Sequence, residues 1–154
     1  MKKIKSYTEI LSIINTLPVQ NKEIKRKAIK LQNELLKPKN SLGVLEDLAI
    51  FYCSWRGIIR PKIRSMQSII FAGNHGICDQ SVNSFPQEVT AQMVQNFKNG
   101  KAAINQISSE AGADLEVIDI DLDNPTKDFT KEPAMSDKEF FDSFNIGFNS
   151  IKKN

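Results

Sequence analysis

The chain's single histidine, His75, stands in Gly73-Asn74-His75-Gly76, directly after the apolar run Ser68-Ile-Ile-Phe-Ala72. Glycines at such a position let the backbone turn sharply and approach a ligand closely. The same histidine could equally serve a structural role, bonded to a neighbouring backbone group. Zinc is not expected, because Cys78 and Asp79 are the only nearby ligand types and there is no second histidine. A nucleophile built from Cys78 or Ser81 with His75 is not expected either, since nothing around them has the spacing of a nucleophile elbow. No phosphate-cradling GxxxxGK[ST] loop and no GxGxxG occurs, so the sequence carries no sign of a nucleoside triphosphate or dinucleotide. Ser84-Phe85-Pro86 lies where a helix should begin. An aromatic ring beside a fixed turn, with helix N–H groups nearby, suits a flat heteroaromatic ligand. Packing of Phe85 onto its own helix as a hydrophobic staple would account for it equally well.

The elements that would position these residues follow from periodicity and punctuation. Ser6 and Glu9 form a capping-box pair ahead of Ile10, Ile13, Ile14 and Leu17, and Pro18 ends that helix. A second helix is expected from about Lys22 to Leu36, stopped before Pro38. Ser41 is a candidate N-cap for a third, carrying Leu45, Leu48, Ala49, Tyr52 and Trp55 on one side and ending at Gly57. From Pro61 the pattern changes to a strand at Ser68–Ala72, a loop over Asn74–Asn83, and an S-x-x-Q box at Ser84 and Gln87 with Pro86 in the first turn. That box opens a helix closed by Asn99-Gly100, a short helix follows from Ala102 to Glu110, and Leu115–Ile120 is the next strand. Two strands with helices between them imply a parallel pair with a right-handed crossover. An acidic irregular link leads to a last helix from Ser136 to about Ile151. Its Phe140, Phe141, Phe144, Phe148 and Ile151 form an apolar stripe that the α/β layer or another chain must cover. The expected division is a helical subdomain over 1–60 and an α/β part over 61–154.

Composition agrees with a folded chain: 40% of residues are hydrophobic and 25% charged. Charge is unevenly spread, with 14 Lys and Arg against 5 Asp and Glu in residues 1–64, and 7 against 13 in residues 65–154. Lys22, Lys25, Arg26, Lys27 and Lys30 raise the question of nucleic acid. They share a helix with Ile24, Ala28, Leu31 and Leu35 at core-facing spacing, so a solvated face is the reading, and no nucleic-acid partner is expected. Cys53 and Cys78 read as small buried hydrophobes rather than a disulfide framework. The basic Met1–Lys5 start lacks a cleavage site after it, and no run of 18 apolar residues exists. A secreted or membrane-spanning chain is therefore not expected, and the cytoplasm is the default.

Several pieces resemble one family in its own order. They are Lys37-Pro38 with Ser41-Leu-Gly-Val-Leu-Glu46, then Phe71-Ala-Gly-Asn-His-Gly-Ile77, then Val82-Asn-Ser-Phe-Pro-Gln-Glu-Val-Thr-Ala-Gln-Met-Val94. Asn96-Phe97, Ala102-Ala-Ile-Asn105, Ala111-Gly-Ala-Asp-Leu115 and Glu132-Pro-Ala-Met-Ser136 continue the series. Together they are similar to nicotinate-nucleotide–dimethylbenzimidazole phosphoribosyltransferases. The resemblance implies an α/β fold, here a truncated three-layer, Rossmann-like parallel sheet with an N-terminal helical subdomain. It implies transfer of the phosphoribosyl group of nicotinate mononucleotide to 5,6-dimethylbenzimidazole, giving α-ribazole 5′-phosphate and nicotinate for the lower nucleotide loop of cobalamin. No metal and no cofactor is implied.

By the same resemblance, Ser84, Phe85, Pro86 and Met93 line the benzimidazole pocket, with Asn74 and His75 beneath it at the strand end. The chain departs from the family pattern at Asn74, where many members have Asp, and at Lys39-Asn40, which replace a Pro-Gly pair. It also stops at Asn154, before the E-M-G-I-G-N segment that contacts the nucleotide and before the C-terminal glutamate that acts as general base. No catalytic residue is therefore expected within these 154 residues. Activity is expected only with a complementing C-terminal half, and the family's homodimer is the expected assembly. The alternative is a non-catalytic module that holds benzimidazoles or related bases without transferring anything.

Overall fold

The computed structural model describes residues 3–151; the first two residues of the basic start and the stop at Asn154 lie outside them. The chain forms two compact units, one of Leu11–Arg64 and one of Met1–Ile10 with Ser65–Asn154. The described elements are α1 (Tyr7–Asn15), α2 (Lys22–Glu34), α3 (Val44–Arg56), β1 (Gln67–Ala72), α4 (Glu88–Lys98), α5 (Ala103–Ala111), β2 (Asp114–Asp119) and α6 (Asp137–Ser150).

In the helical unit α2 packs on α3. Asn21 caps α2, its side chain accepting the Ile24 N–H at 2.9 Å. The expected cap at Ser41 does not form. Gly43 takes that position, with no side chain to cap, and the first turn of α3 is instead tightened by Leu45 N–H to Leu42 O and Glu46 N–H to Gly43 O bonds. Glu46 turns back into the preceding loop. Its carboxylate accepts the Leu42 N–H at 3.2 Å and meets the Lys37 ammonium at 2.6 Å, and hydrogen bonding to Lys37 holds it below the ordinary glutamate range. The expected apolar side of α3 is also not the packed one. Leu45, Leu48, Ala49 and Trp55 are exposed and only Tyr52 of that side is half-buried, while Glu46, Ile50, Cys53 and Ser54, spaced to another face of the helix, are half-buried or buried. Ala28 of α2 and Ser54 of α3 are buried, the latter bonded to Gln20 Nε2 at 2.8 Å and Phe51 O at 2.7 Å. Both cysteines are free and half-buried rather than buried.

The other unit is an α/β fold with a two-stranded sheet. β1 and β2 run parallel, in register from Gln67 with Asp114 to Ala72 with Asp119, as the strand–helices–strand pattern requires. Among the described residues each strand pairs only with the other. α4 and α5 lie against β2, Val94 and Ala72 are buried, and Ser108 of α5 bonds Ser68 of β1 at 3.4 Å.

α6 begins, as expected, at Ser136, and a capping box fixes it there: Ser136 Oγ accepts the Glu139 N–H and Glu139 accepts the Ser136 N–H. Its aromatic stripe is covered in part by the start of the chain. Tyr7 stacks on Phe140 at 5.4 Å between ring centroids and lies 5.0 Å from Phe141, and its hydroxyl donates to Asp137 at 2.7 Å. Ile4 is fully buried, its N–H donating to Asn145 Oδ1 and its carbonyl accepting from Asn145 Nδ2, both at 2.7 Å. Asn145→Ala leaves both backbone groups of a buried residue unpaired. It is expected to destabilise the unit by about 1–3 kcal/mol, read by thermal denaturation, with faster amide exchange at Ile4.

Candidate functional site

The site is built where β1 ends. Beyond Ala72 the backbone continues through Gly73 and Asn74 to an isolated parallel bridge between His75 and Thr126. Asn74 O accepts the Thr126 N–H at 3.2 Å and Thr126 O accepts the Gly76 N–H at 2.7 Å. The acidic link thus docks on the strand end as a short extension of the sheet. The loop expected over Asn74–Asn83 contains a 3₁₀ turn from Gly76 to Gln80. Gly76 is buried, and a Cβ there would lie 2.6 Å from Asp128 N and from Thr126 O, so this crossing tolerates only glycine.

Asp128 joins the turn to the link. Its buried carboxylate accepts the Thr130 hydroxyl at 2.6 Å, the Thr130 N–H at 2.9 Å and Gln80 Nε2 at 2.7 Å. These bonds, the Thr130 hydroxyl first, hold Asp128 far below the ordinary carboxylate range. A depressed folded-state pKa stabilises the fold above the unfolded aspartate value of about 3.9, and that contribution is lost as pH falls through the folded value. The melting temperature is therefore expected to fall below about pH 4, and Asp128→Asn to flatten that part of the profile in a pH series of thermal melts.

The S-x-x-Q box does not cap α4. Gln87 sits at the helix start with no side-chain bond, and Val89 N–H to Pro86 O and Thr90 N–H to Gln87 O bonds close the first turn. The segment before it is bent by Asn83, whose side-chain amide donates to Phe85 O. Ser84 is thereby left free of capping. Phe85 is 69% exposed, so its ring is not stapled against the helix it precedes.

Around these segments runs a cleft in two compartments of about 760 and 350 Å³, within the size range of small-molecule sites. They share Asn74, Cys78 and Asn83–Gln87 as walls. All six residues named from the sequence line the smaller compartment: Ser84, Phe85, Pro86 and Met93, with Asn74 and His75. Val89 and Thr90, not singled out from sequence, complete it, and the smaller compartment is the more apolar. The larger compartment carries Asp79, Glu88 and Asp123 and no Lys or Arg. Its field disfavours a phosphate and accepts a neutral or electron-poor ring. His75 is exposed, its Nδ1 3.3 Å from Thr126 Oγ1, with the proton's place set by tautomer. It therefore has both a local partner and a face on the cleft. Among the described residues no group of three His, Cys, Asp or Glu side chains could hold a metal ion, and no helix is long and apolar enough to cross a membrane.

A parallel strand pair with an aromatic-lined cleft at its carboxyl end defines an α/β protein with a small-molecule site. The model of a phosphoribosyltransferase family matches residues 17–154, and the chain belongs to that family. It is 48% identical over 151 residues to the nicotinate-nucleotide–dimethylbenzimidazole phosphoribosyltransferase of Rhodobacter capsulatus, covering 98% of this chain and 45% of that protein. The enzyme of the same name from Roseobacter denitrificans is 47% identical over 143 residues, 93% of this chain and 42% of its own. A solved structure of that enzyme from Thermus thermophilus superposes with a TM-score of 0.69 at 30% identity, covering 77% of this chain and 41% of the other. The chain spans less than half the length of these relatives.

Proposed function

We propose that the chain is the base-binding part of a nicotinate-nucleotide–dimethylbenzimidazole phosphoribosyltransferase. The observation that carries this is the convergence of Ser84, Phe85, Pro86 and Met93 with Asn74 and His75 around one apolar groove, in a chain of this family. A flat, neutral benzimidazole suits the groove, and the acidic larger compartment keeps the phosphate of the nucleotide away from it. In the reaction one ring nitrogen of the base attacks C1′ of nicotinate mononucleotide as the bond to nicotinate breaks. The anomeric carbon inverts, and a carboxylate takes the proton from the other ring nitrogen.

The groups that hold the ribose phosphate and remove the proton are supplied by residues outside positions 1–154. Without them the base is held but neither positioned against C1′ nor deprotonated, and each of those effects is worth several kcal/mol of barrier. Two surfaces suit a completing half or a second copy of the chain: the open edges of the strand pair, and the exposed Leu45, Leu48 and Trp55 face of α3. Small-molecule substrates and a cytoplasmic setting complete the reading, with no role for nucleic acid or membrane. Co-expression with the second half of a full-length relative is expected to give a stable complex that forms α-ribazole 5′-phosphate. A complex that never forms, or forms and makes no product, would refute it.

The cleft's walls lie between residues 73 and 93, with Leu122 and Asp123 facing them. That favours, as a second reading, a module that holds such bases without transferring them; it predicts base binding with no product even in the completed complex.

A further inference from the structure

Asn74 lines both compartments of the cleft and also a third groove, of about 570 Å³, that reaches from the strand ends to α6. Its two polar ends hold the same segment. The side-chain Nδ2 donates to Leu122 O at 2.9 Å, and the backbone carbonyl accepts the Thr126 N–H at 3.2 Å. Between these anchors lies a tight turn. Asp121 has φ of +44°, outside the range most side chains prefer, and Asn124 ties it by N–H to Asp121 O at 3.1 Å and Nδ2 to Asp121 Oδ1 at 2.8 Å. That turn presents Leu122 and Asp123 to the larger compartment, in company with Phe85 and Pro86. Nothing else among the described side-chain bonds fastens Leu122 to the strand end.

We infer that Asn74 is a positioning residue for base selectivity. By holding Leu122 it fixes the far wall of the larger compartment, which meets the base groove along the shared Asn83–Gln87 segment, so a ring substituent that reaches past Phe85 and Pro86 is measured against it. The inference rests on the reading of the cleft as a base site. A fixed wall discriminates methyl groups by contact and excluded volume; a wall free to retreat does not. Aspartate has the same shape as asparagine but turns the donor into a carboxylate facing the Leu122 carbonyl. Asn74→Asp therefore removes the anchor without opening a cavity.

The test titrates the 154-residue chain with 5,6-dimethylbenzimidazole and with unsubstituted benzimidazole, and follows amide exchange over residues 121–126. The wild type is expected to prefer the dimethylated base by about tenfold or more. In Asn74→Asp that preference falls at least about threefold while exchange over 121–126 rises about tenfold. Asn124→Ala loosens the same turn from its other side, and is expected to shift both readouts the same way even if Asn74→Asp fails to fold. A merely structural residue would weaken both bases equally. Unchanged preference in both variants, or a wild type that binds the two bases equally, overturns the inference and leaves the base site standing. A wild type that binds neither base removes the base site itself; the anchor is then decided by exchange, and exchange unchanged in both variants overturns it.

Discussion

Gly76→Ala is expected to cost on the order of 3 kcal/mol or more and to lower the melting temperature by about 10 °C. The added methyl would meet Asp128 N and Thr126 O at 2.6 Å and Lys127 C at 2.7 Å, and all three are backbone atoms that cannot swing aside. Relief requires the link to lift off the strand end, which breaks the Gly76 N–H bond to Thr126 O and pulls on the Asp128 bonds to Gln80 and Thr130. Since Asn74 also holds this link, the cleft wall moves with it. Gly73→Ala is the matched control, because a Cβ there meets nothing within 4 Å. Thermal melts of the two variants side by side check the account; equal melting temperatures would contradict it.

Phe85→Ala is expected to have the opposite signature, a large loss of base binding with almost no loss of stability. The ring is 69% exposed, so its removal leaves no cavity in the core, and the cost to folding should stay within about 0.5 kcal/mol. Stacking of an aromatic side chain on a heteroaromatic base is worth roughly 1–3 kcal/mol, so affinity for 5,6-dimethylbenzimidazole should fall about tenfold to a hundredfold. Met93→Ala, on the same groove, should cost less, since its thioether supplies contact without a ring face. Calorimetric titration together with a thermal melt separates the two effects. A Phe85→Ala chain that melts early, or that binds unchanged, would assign Phe85 to packing rather than to the ligand.

What could be read from the residues, and what could not, divides along sequence distance. Helix limits that depend on nearby side chains were legible: Ser6 Oγ accepts the Glu9 N–H, Ser136 and Glu139 form their box, and Gly112 closes α5 in the left-handed conformation. The parallel strand pair was legible as well, because short apolar runs flanking two helices leave few alternatives. Legibility failed where other bonds, local or distant, outcompeted the expected signal. Ser84 and Gln87 have the right spacing for a box, but Pro86 has no N–H to satisfy and Asn83 bends the approach, so the turn closes on backbone bonds instead. The more apolar side of α3 is not its packed side, because α2 packs on the helix and residues outside α2 tie the other face, Gln20 to Ser54 and Lys37 with the Leu42 N–H to Glu46.

The partial cover on the α6 stripe came from Ile4 and Tyr7, over 130 residues earlier, and no periodicity within α6 announces it. The same holds at the cleft. Its near wall, Ser84 to Met93, is contiguous and readable. Its far wall, Leu122 and Asp123, is placed by a hydrogen bond from Asn74 across 48 residues. The one local hint was Asn74 itself, an amide at a position where the family pattern often has a carboxylate, which is the change needed to donate to a carbonyl.

The central claim is that residues 1–154 already contain the site for the base. Calorimetric titration of the purified, folded chain with 5,6-dimethylbenzimidazole tests it most directly. The account predicts saturable one-to-one binding, with a negative heat-capacity change from burial of the ring in the groove. A chain that is folded by thermal melt and yet shows no saturation at millimolar ligand would contradict it, and would place the base pocket outside these residues.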